Sequence, residues 1–480
     1  MKIIKLTFFF FFIHFANVYA NHFMGGEITY VHLNGDLYEV TLKLYGDCVG
    51  ADLPMGTGGS PRIRFISNCS ATLSRVIPMI SLTEVSQVCN GTFTTCNGGT
   101  TSGTMEGIYR DTVTLNPCSD WLMLYTGFAR NIAITNLQVN AFSNINIQTT
   151  LNNIAGPGNS SPQFSVLPTP YYCVGQSVNY NLGVSEPDGD SLHFSMVQPL
   201  TIPGSTGNSA PPGVPIPYSP GFSLSEPIIT SSGFNFNSET GEMCFTPSLL
   251  QIDVIDVLIE EFRNGVLIGT QVRELQVLVQ NSCGNQLPFV GTVTPTCGTT
   301  EGMTLTYSDP SVVQTSTNEI SMCQGDSLCF DLVISDIDPD NITVTSNAGN
   351  AAPGSDFTIT NNGTQNPQAR FCWRPDISEV GTHIITVNLS DDSCPFLGLA
   401  SYTYIVNVNG IYAGPDQTIC LGQSDSFVQL QAYGGQNHIW TSISGDPIIV
   451  GVNFSCNPCS NPIASPDATT TYQVEGAGTN

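Results

Sequence analysis

Two short stretches of this chain place carboxylates at alternate positions. "SEPDGDSLHF", residues 185–194, carries Glu186, Asp188 and Asp190 with Pro187 and Gly189 between them. "SDIDPDNITV", residues 335–344, carries Asp336, Asp338 and Asp340. Like charges this close disfavour one another's ionised form unless something compensates. An EF-hand is excluded, because its glycine would fall at 191 and not at Gly189. Its twelfth positions would be Val197 and Asn347, where the loop needs a bidentate Glu. A glycosidase-type carboxylate pair is disfavoured too, since catalytic pairs are rarely duplicated in equivalent turns of repeated modules. Two readings remain: a solvated Asp-Gly turn between strands, or a calcium site of hard oxygen ligands. In the second stretch, Asp391 and Asp392 of "LSDDSCP" are the expected additional ligands. A bound ion would then rigidify the module and its junction.

The charge balance favours a cation partner. Lys2, Lys5 and Leu6 to Phe15, followed by Val18-Tyr19-Ala20, read as a secretory signal peptide over residues 1–20. Its apolar run is too short to span a bilayer. Removing Lys2 and Lys5 from the 12 basic residues leaves ten against 38 acids, a net charge near −28. No basic patch remains to displace counterions from phosphates, so no nucleic acid is expected as a partner. No other segment is apolar enough to be transmembrane.

The elements that must position these carboxylates repeat. "CVGQSVNYNLGVSEPDGDSLHFS" from Cys173 and "CQGDSLCFDLVISDIDPDNITVT" from Cys323 align without a gap, and "GEMCFTPSL" around Cys244 matches "ARFCWRPDI" around Cys372. The opening recurs as "CLGQS" from Cys420. Alternating polarity, Gly/Pro/Asn-rich turns and the scarcity of helical periodicity imply an all-β protein of tandem immunoglobulin-like β-sandwich domains in an elongated array, each touching only its neighbours. The expected divisions are 21–155 (an amino-terminal disulfide-containing β domain), 156–295 and 296–409 (cadherin- or immunoglobulin-like sandwiches), and 410–480 (a fourth, shorter module). In the first, "EITYVHL" and "LYEVTLKLYGDC" form a hairpin closed at Asn34-Gly35-Asp36. Residues 203–221 are too rich in Pro for central strands and read as a surface loop.

Sixteen cysteines in an exported chain read as a disulfide framework. Local loops suggest Cys48–Cys69, Cys89–Cys96 and Cys456–Cys459. Matching module positions suggest Cys173–Cys244 and Cys329–Cys372, with Cys283–Cys297 and Cys323–Cys394 as further pairs. Cys118 and Cys420 are left over.

No catalytic constellation is legible: there is no G-x-S-x-G elbow, no H-E-x-x-H and no P-loop. His22, His32, His193, His383 and His438 are scattered singly. Trp121, Trp373 and Trp440 are the candidates for sugar-stacking platforms. Trp373 and Trp440 lie in alternating strand patterns, where a core tryptophan is expected, and Trp121 is open between strand and rim. A non-enzyme is therefore expected, with no catalytic residues.

"HFMGGEITYVHLNGDLYEVTLKLYGDC", "YRDTVTLNPCSDW", "RNIAITNL" and "NNIAGPGNSSPQF" resemble the amino-terminal region of large secreted surface proteins of Bacteroidetes, described as gliding-motility-associated or type IX secretion substrates. "AGPDQTICLGQSDSFVQLQAYGG" and "CNPCSNPIASPDATTTYQV" resemble their polycystic-kidney-disease-type (PKD-like) repeats, and residues 156–409 their cadherin-like sandwiches. The resemblance implies a secreted cell-surface structural or adhesion protein, an adhesin, stalk or filament segment. Its implied partners are surface polysaccharide or other surface proteins, and it implies a cadherin-like calcium site at the acidic turns. Two features depart from it. Ala129 stands where relatives have a cysteine, which leaves Cys118 without an obvious mate. The carboxy-terminal sorting domain is lacking at Asn480, so the chain reads as the amino-terminal part of something longer. The alternative is a carbohydrate-binding or accessory region of a larger secreted hydrolase.

Overall fold

The computed structural model describes residues 23–48, 60–128, 130–140, 143–202, 213–281, 283–292, 302–411, 413, 416–419, 427–432 and 436–477. The signal segment, His22, Ala129, Cys297, Cys420 and residues 203–212 of the Pro-rich stretch lie outside these. Among the described residues the chain is nearly all strand, with one four-residue helix, Ala348–Ala351.

The first domain begins with the expected hairpin, Phe23–Asn34 against Leu37–Asp47. Gly35 takes a φ of 52°, which the tight turn requires and glycine supplies without a Cβ clash. Tyr38, Val40, Leu42 and Leu44 alternate along the second strand and are all buried, so one face of the hairpin makes core. Trp121 belongs to the same core, only 3% exposed, and donates from its indole nitrogen to the Asn116 carbonyl at 2.9 Å.

A long hairpin of module two, Gln251–Arg263 and Val266–Gln280, turns at Asn264-Gly265, both in the left-handed region. Its second strand pairs with Asn144–Leu151 and, at Gly26↔Glu274, with the first strand of the chain. One twelve-stranded sheet therefore runs through the first domain and module two. Buried ion pairs pin this junction: Arg130 with Glu274, and Arg273 with Glu27 at 2.7 Å.

Module three is a sandwich of two five-stranded sheets. Its core is continuous with that of module two, from Tyr172 through Phe245 to Phe371 and Tyr404. Asn181 donates to the Thr403 hydroxyl at 2.9 Å and Asn347 to the Val184 carbonyl at 3.1 Å across the boundary. Tandem sandwiches are present, but the expectation that each touches only its neighbours is corrected. Module three also meets the first domain, where Val88 bridges to Phe396, while Tyr171 of module two stacks on the same ring at 5.5 Å. The last module forms small sheets around Trp440 and Phe454.

The disulfides follow this packing. Cys329–Cys372 and Cys456–Cys459 are joined, with Cα separations of 4.1 and 5.9 Å. Five expected pairings are corrected, Cys283–Cys297 among them because Cys283 is bonded to Cys173, and Cys118 is not left over. Cys48 takes Cys96, not Cys69; Cys69 takes Cys118; and Cys89 takes Cys394 in module three, 305 residues away, not Cys96. Cys173 bonds Cys283 and not Cys244, because its short strand lies parallel beside Val266–Gln280, next to Cys283. Cys244 is disulfide-bonded as well, but it lies on the other sheet, facing Asn179 where module three has Cys329 facing Cys372. Cys394 being taken, Cys323 is a free thiol.

Candidate cation sites at two equivalent turns

Each acidic stretch follows a strand, the two-residue Val184–Ser185 in module two and the longer Leu328–Ser335 in module three, and precedes a strand that pairs antiparallel with a long partner. In module two the partner register is Phe194↔Ile259; in module three it is Val344↔Leu389. Counting the same distance along the partners makes Glu261 equivalent to Asp391 and Arg263 equivalent to Ser393. The preceding linkers correspond too. "GNSSPQF" and "GNQLPF" bring Asn159 and Asn285 to the same place. Asn159 donates to Glu261 at 2.9 Å, and Asn285 donates to Asp391 at 2.8 Å. The Ser160 amide reaches Asp188 at 2.5 Å, and the Gln286 amide reaches Asp338 at 2.7 Å. The constellation is one design used twice.

The contents differ. In module two, Glu186 accepts the backbone N–H groups of Asp188 and Asp190, folding the turn on itself. Asp190, buried, receives a two-pronged hydrogen bond from Arg263, Nε to Oδ1 at 2.8 Å and Nη2 to Oδ2 at 2.6 Å. The same Nη2 donates to Asn159 Oδ1 at 2.9 Å and lies 3.9 Å from Asp188. A planar fork matching a carboxylate is the strongest form of this contact. Arg263 thereby neutralises part of the charge of this cluster. Burial, with Glu186 and Asp190 close by, pushes the Glu261 carboxyl up to about 9. Burial pushes Glu186 up to about 7.

In module three, carboxylate oxygens of Asp336, Asp340 and Asp391 lie within 4.8 Å of one another. Asp391 is 3% exposed and accepts from the Gly398 amide at 2.6 Å and the Ser393 amide at 3.1 Å. Among the described residues no Lys or Arg pairs with this cluster. Two buried acceptors have no donor: Asp336 Oδ2 and Asn285 Oδ1, the latter on a side chain only 7% exposed. Burial first, and neighbouring carboxylates second, raise both Asp336 and Asp391 to about 6. Asp338 is held by Gln286, and Asp392 turns outward to Asn341 at 2.8 Å, so neither belongs to the inner trio. Sequence reasoning missed Asn159, Glu261, Arg263 and Asn285. The repeated Gly-Asn before each Pro-containing linker end was the available signal.

The remaining candidates close off. Trp373 and Trp440 are buried and donate to backbone carbonyls, so none of the three tryptophans is a sugar platform. His383 packs edge-on to Trp373, its two ring nitrogens each 2.7 Å from a carbonyl oxygen. His32 and His193 sit singly, on the Gly35 carbonyl and on Glu260.

No protein-family model matches this chain, and no curated protein does. Among solved structures, the titin domains Z1Z2 in complex with telethonin align at 10% identity over 52% of this chain and 98% of theirs, with a TM-score of 0.15. The zebrafish RET cadherin-like domains 1 to 4 align at 10% identity over 85% and 89%, with a TM-score of 0.19. An endo-fucoidan hydrolase of glycoside hydrolase family 107 aligns at 13% identity over 73% and 42%, with a TM-score of 0.16. Likenesses of this order identify no family, and the fold assignment rests on the strands themselves.

Proposed function

We propose that this chain is a non-enzymatic structural and adhesion protein of the outer cell surface, a segment of an adhesin, stalk or filament. The observation that carries the reading is the fusion of three modules into one framework. A shared sheet joins the first domain to module two, a shared core joins module two to module three, and Cys89–Cys394 closes the circuit covalently. Six disulfides among the described residues are the chemistry of an oxidising, extracytoplasmic compartment. Among the same residues no helix is long and apolar enough to cross a membrane. A framework braced in this way suits transmitting load between a cell and its surroundings. The gliding and type IX secretion part of the reading stands on the sequence resemblance, as do the partners, surface polysaccharide or other surface proteins.

Calcium belongs to this reading at module three. Asp336, Asp340 and Asp391, with Asn285 Oδ1, are hard oxygen donors, and two of their acceptors are buried without donors. Calcium there would supply the positive charge that links the module-three turn to the linker from module two. The experiment is retention of purified chain, immobilised on beads, on surface polysaccharide or whole cells. Retention without release of reducing sugar is the expected result. Sugar release well above background would overturn the non-enzymatic reading.

A further inference from the structure

The equivalence of the two turns locates one atom group with unusual clarity. In module two the guanidinium of Arg263 occupies the space bounded by Asp190, Asp188 and Asn159 Oδ1. In module three the corresponding boundary is Asp340, Asp338 and Asn285 Oδ1. There the chain has Ser393, whose backbone amide reaches Asp391 at 3.1 Å and which carries no charge. The buried acceptor that Arg263 satisfies in module two, the Asn159 carbonyl oxygen, is the one left without a donor in module three, the Asn285 carbonyl oxygen. A buried acceptor of this kind is costly to leave unpaired, and here it lies beside three carboxylates that have no basic partner among the described residues.

We propose that Arg263 is the resident cation of the module-two turn, making that turn metal-independent, and that the equivalent place in module three takes a divalent cation from solution. The module-three half rests on the calcium reading above; the Arg263 half does not. Both halves turn on one change of charge, Arg263 against Ser393, within a constellation whose acids recur as Glu186/Asp336, Asp188/Asp338, Asp190/Asp340 and Glu261/Asp391. Glu186, Asp188 and Asp190 also bring carboxylate oxygens within 4.8 Å of one another, and on this proposal Arg263 is what spares that turn a metal. The guanidinium already provides the directed donors that the carboxylates need, and a metal would have to displace it from a buried Asp190.

The test is calorimetric titration of calcium into the chain lacking its signal segment, comparing wild type with Arg263→Ser and Ser393→Arg. Wild type is expected to bind one equivalent at these turns, Arg263→Ser two, and Ser393→Arg none. Thermal melting with and without chelator should shift in the first two and be indifferent in the third. A folded Arg263→Ser chain with no added equivalent, or a wild-type chain with two equivalents at these turns, overturns the role of Arg263. Should Arg263→Ser fail to fold, Ser393→Arg still decides: retained binding in that variant overturns the equivalence of the two places. A wild-type chain that takes no calcium while Arg263→Ser takes one removes the module-three reading and leaves the Arg263 one standing.

Discussion

The turns at 186–190 and 336–340 share a backbone plan, a linker asparagine and a buried acid on the partner strand, yet they solve their repulsion in opposite ways. Module two attaches its cation covalently. The cation is always present, costs only side-chain entropy to place, and follows no external concentration. Module three leaves Asp336 Oδ2 and Asn285 Oδ1 without donors, and under the proposal above a cation from the medium would fill that place and make the order of the junction conditional on its supply. The location of the conditional turn matters. Its acid-bearing loop, 391–398, is also the loop that Cys394 ties to Cys89 in the first domain. A cation there would act beside a loop that touches both the first domain and module two.

The largest expected effect comes from removing the acid that both the turn and the linker lean on. Asp391→Ala leaves the amides of Gly398 and Ser393 and the Asn285 side chain without an acceptor. It should cost about 2–4 kcal/mol in denaturant unfolding, from unsatisfied buried donors, and abolish any chelator-sensitive shift. A loss under about half a kcal/mol, with binding intact, would detach Asp391 from the site. Next in size is the staple. Cys89→Ala with Cys394→Ala should cost about 2–4 kcal/mol, the usual range for a native disulfide. It should weaken calcium binding as the ligand loop loosens, while leaving the module-two turn unaffected. Equal binding in the double variant would show that the staple and the site are independent.

A subtler variant separates the two turns without deleting a ligand. A Cβ at Gly398 would collide with the Asp391 carboxylate and sit 2.9 Å from Asn285 Nδ2. Gly398→Ala should therefore weaken calcium binding roughly tenfold, equivalent to about 1.4 kcal/mol, with little change in the chelator-treated melting curve. Unchanged affinity would mean that the Asp391 geometry is looser than the contacts indicate.

Much of this architecture is legible in residue order, and the failures share a cause. The strand alternation, the Asn34-Gly35 turn and the 173/323 repeat are local signals, and local physics carries them into the fold. Trp373 and Trp440 are buried as their strand patterns imply. The cysteines mislead because closing a short loop is the entropically easy guess, whereas Cys89 finds Cys394 only once three modules have packed. The Cys173–Cys244 expectation erred through the repeat itself: the position matching Cys329 is Asn179, so the cross-strand pair exists in one copy alone. Likewise the acids of both turns stand out in the sequence. Arg263 does not, because its role depends on a strand register 73 residues away from Asp190.

The smallest effect is a pH dependence that should differ between the turns. Glu186 and Glu261 have folded values of about 7 and about 9, against an ordinary 4.5, with burial as the main cause. A carboxyl whose value is raised by folding keeps its proton in the native state after the unfolded chain has lost it. Its contribution is therefore most favourable below the unfolded value and is lost as pH rises through 4.5 toward the folded values. Glu261→Gln removes the acid but keeps a group able to face Asn159 and Glu186. The variant should melt close to wild type at about pH 5 and higher by roughly 2–4 °C at about pH 8. Arg263 limits the gain, since its charge already offsets part of the repulsion at Asp190. In the Arg263→Ser background the same Glu261→Gln change should stabilise more at that higher pH, provided calcium is chelated. An equal gain in both backgrounds would mean that Arg263 compensates Asp190 alone and leaves the Glu186–Glu261 pair to burial.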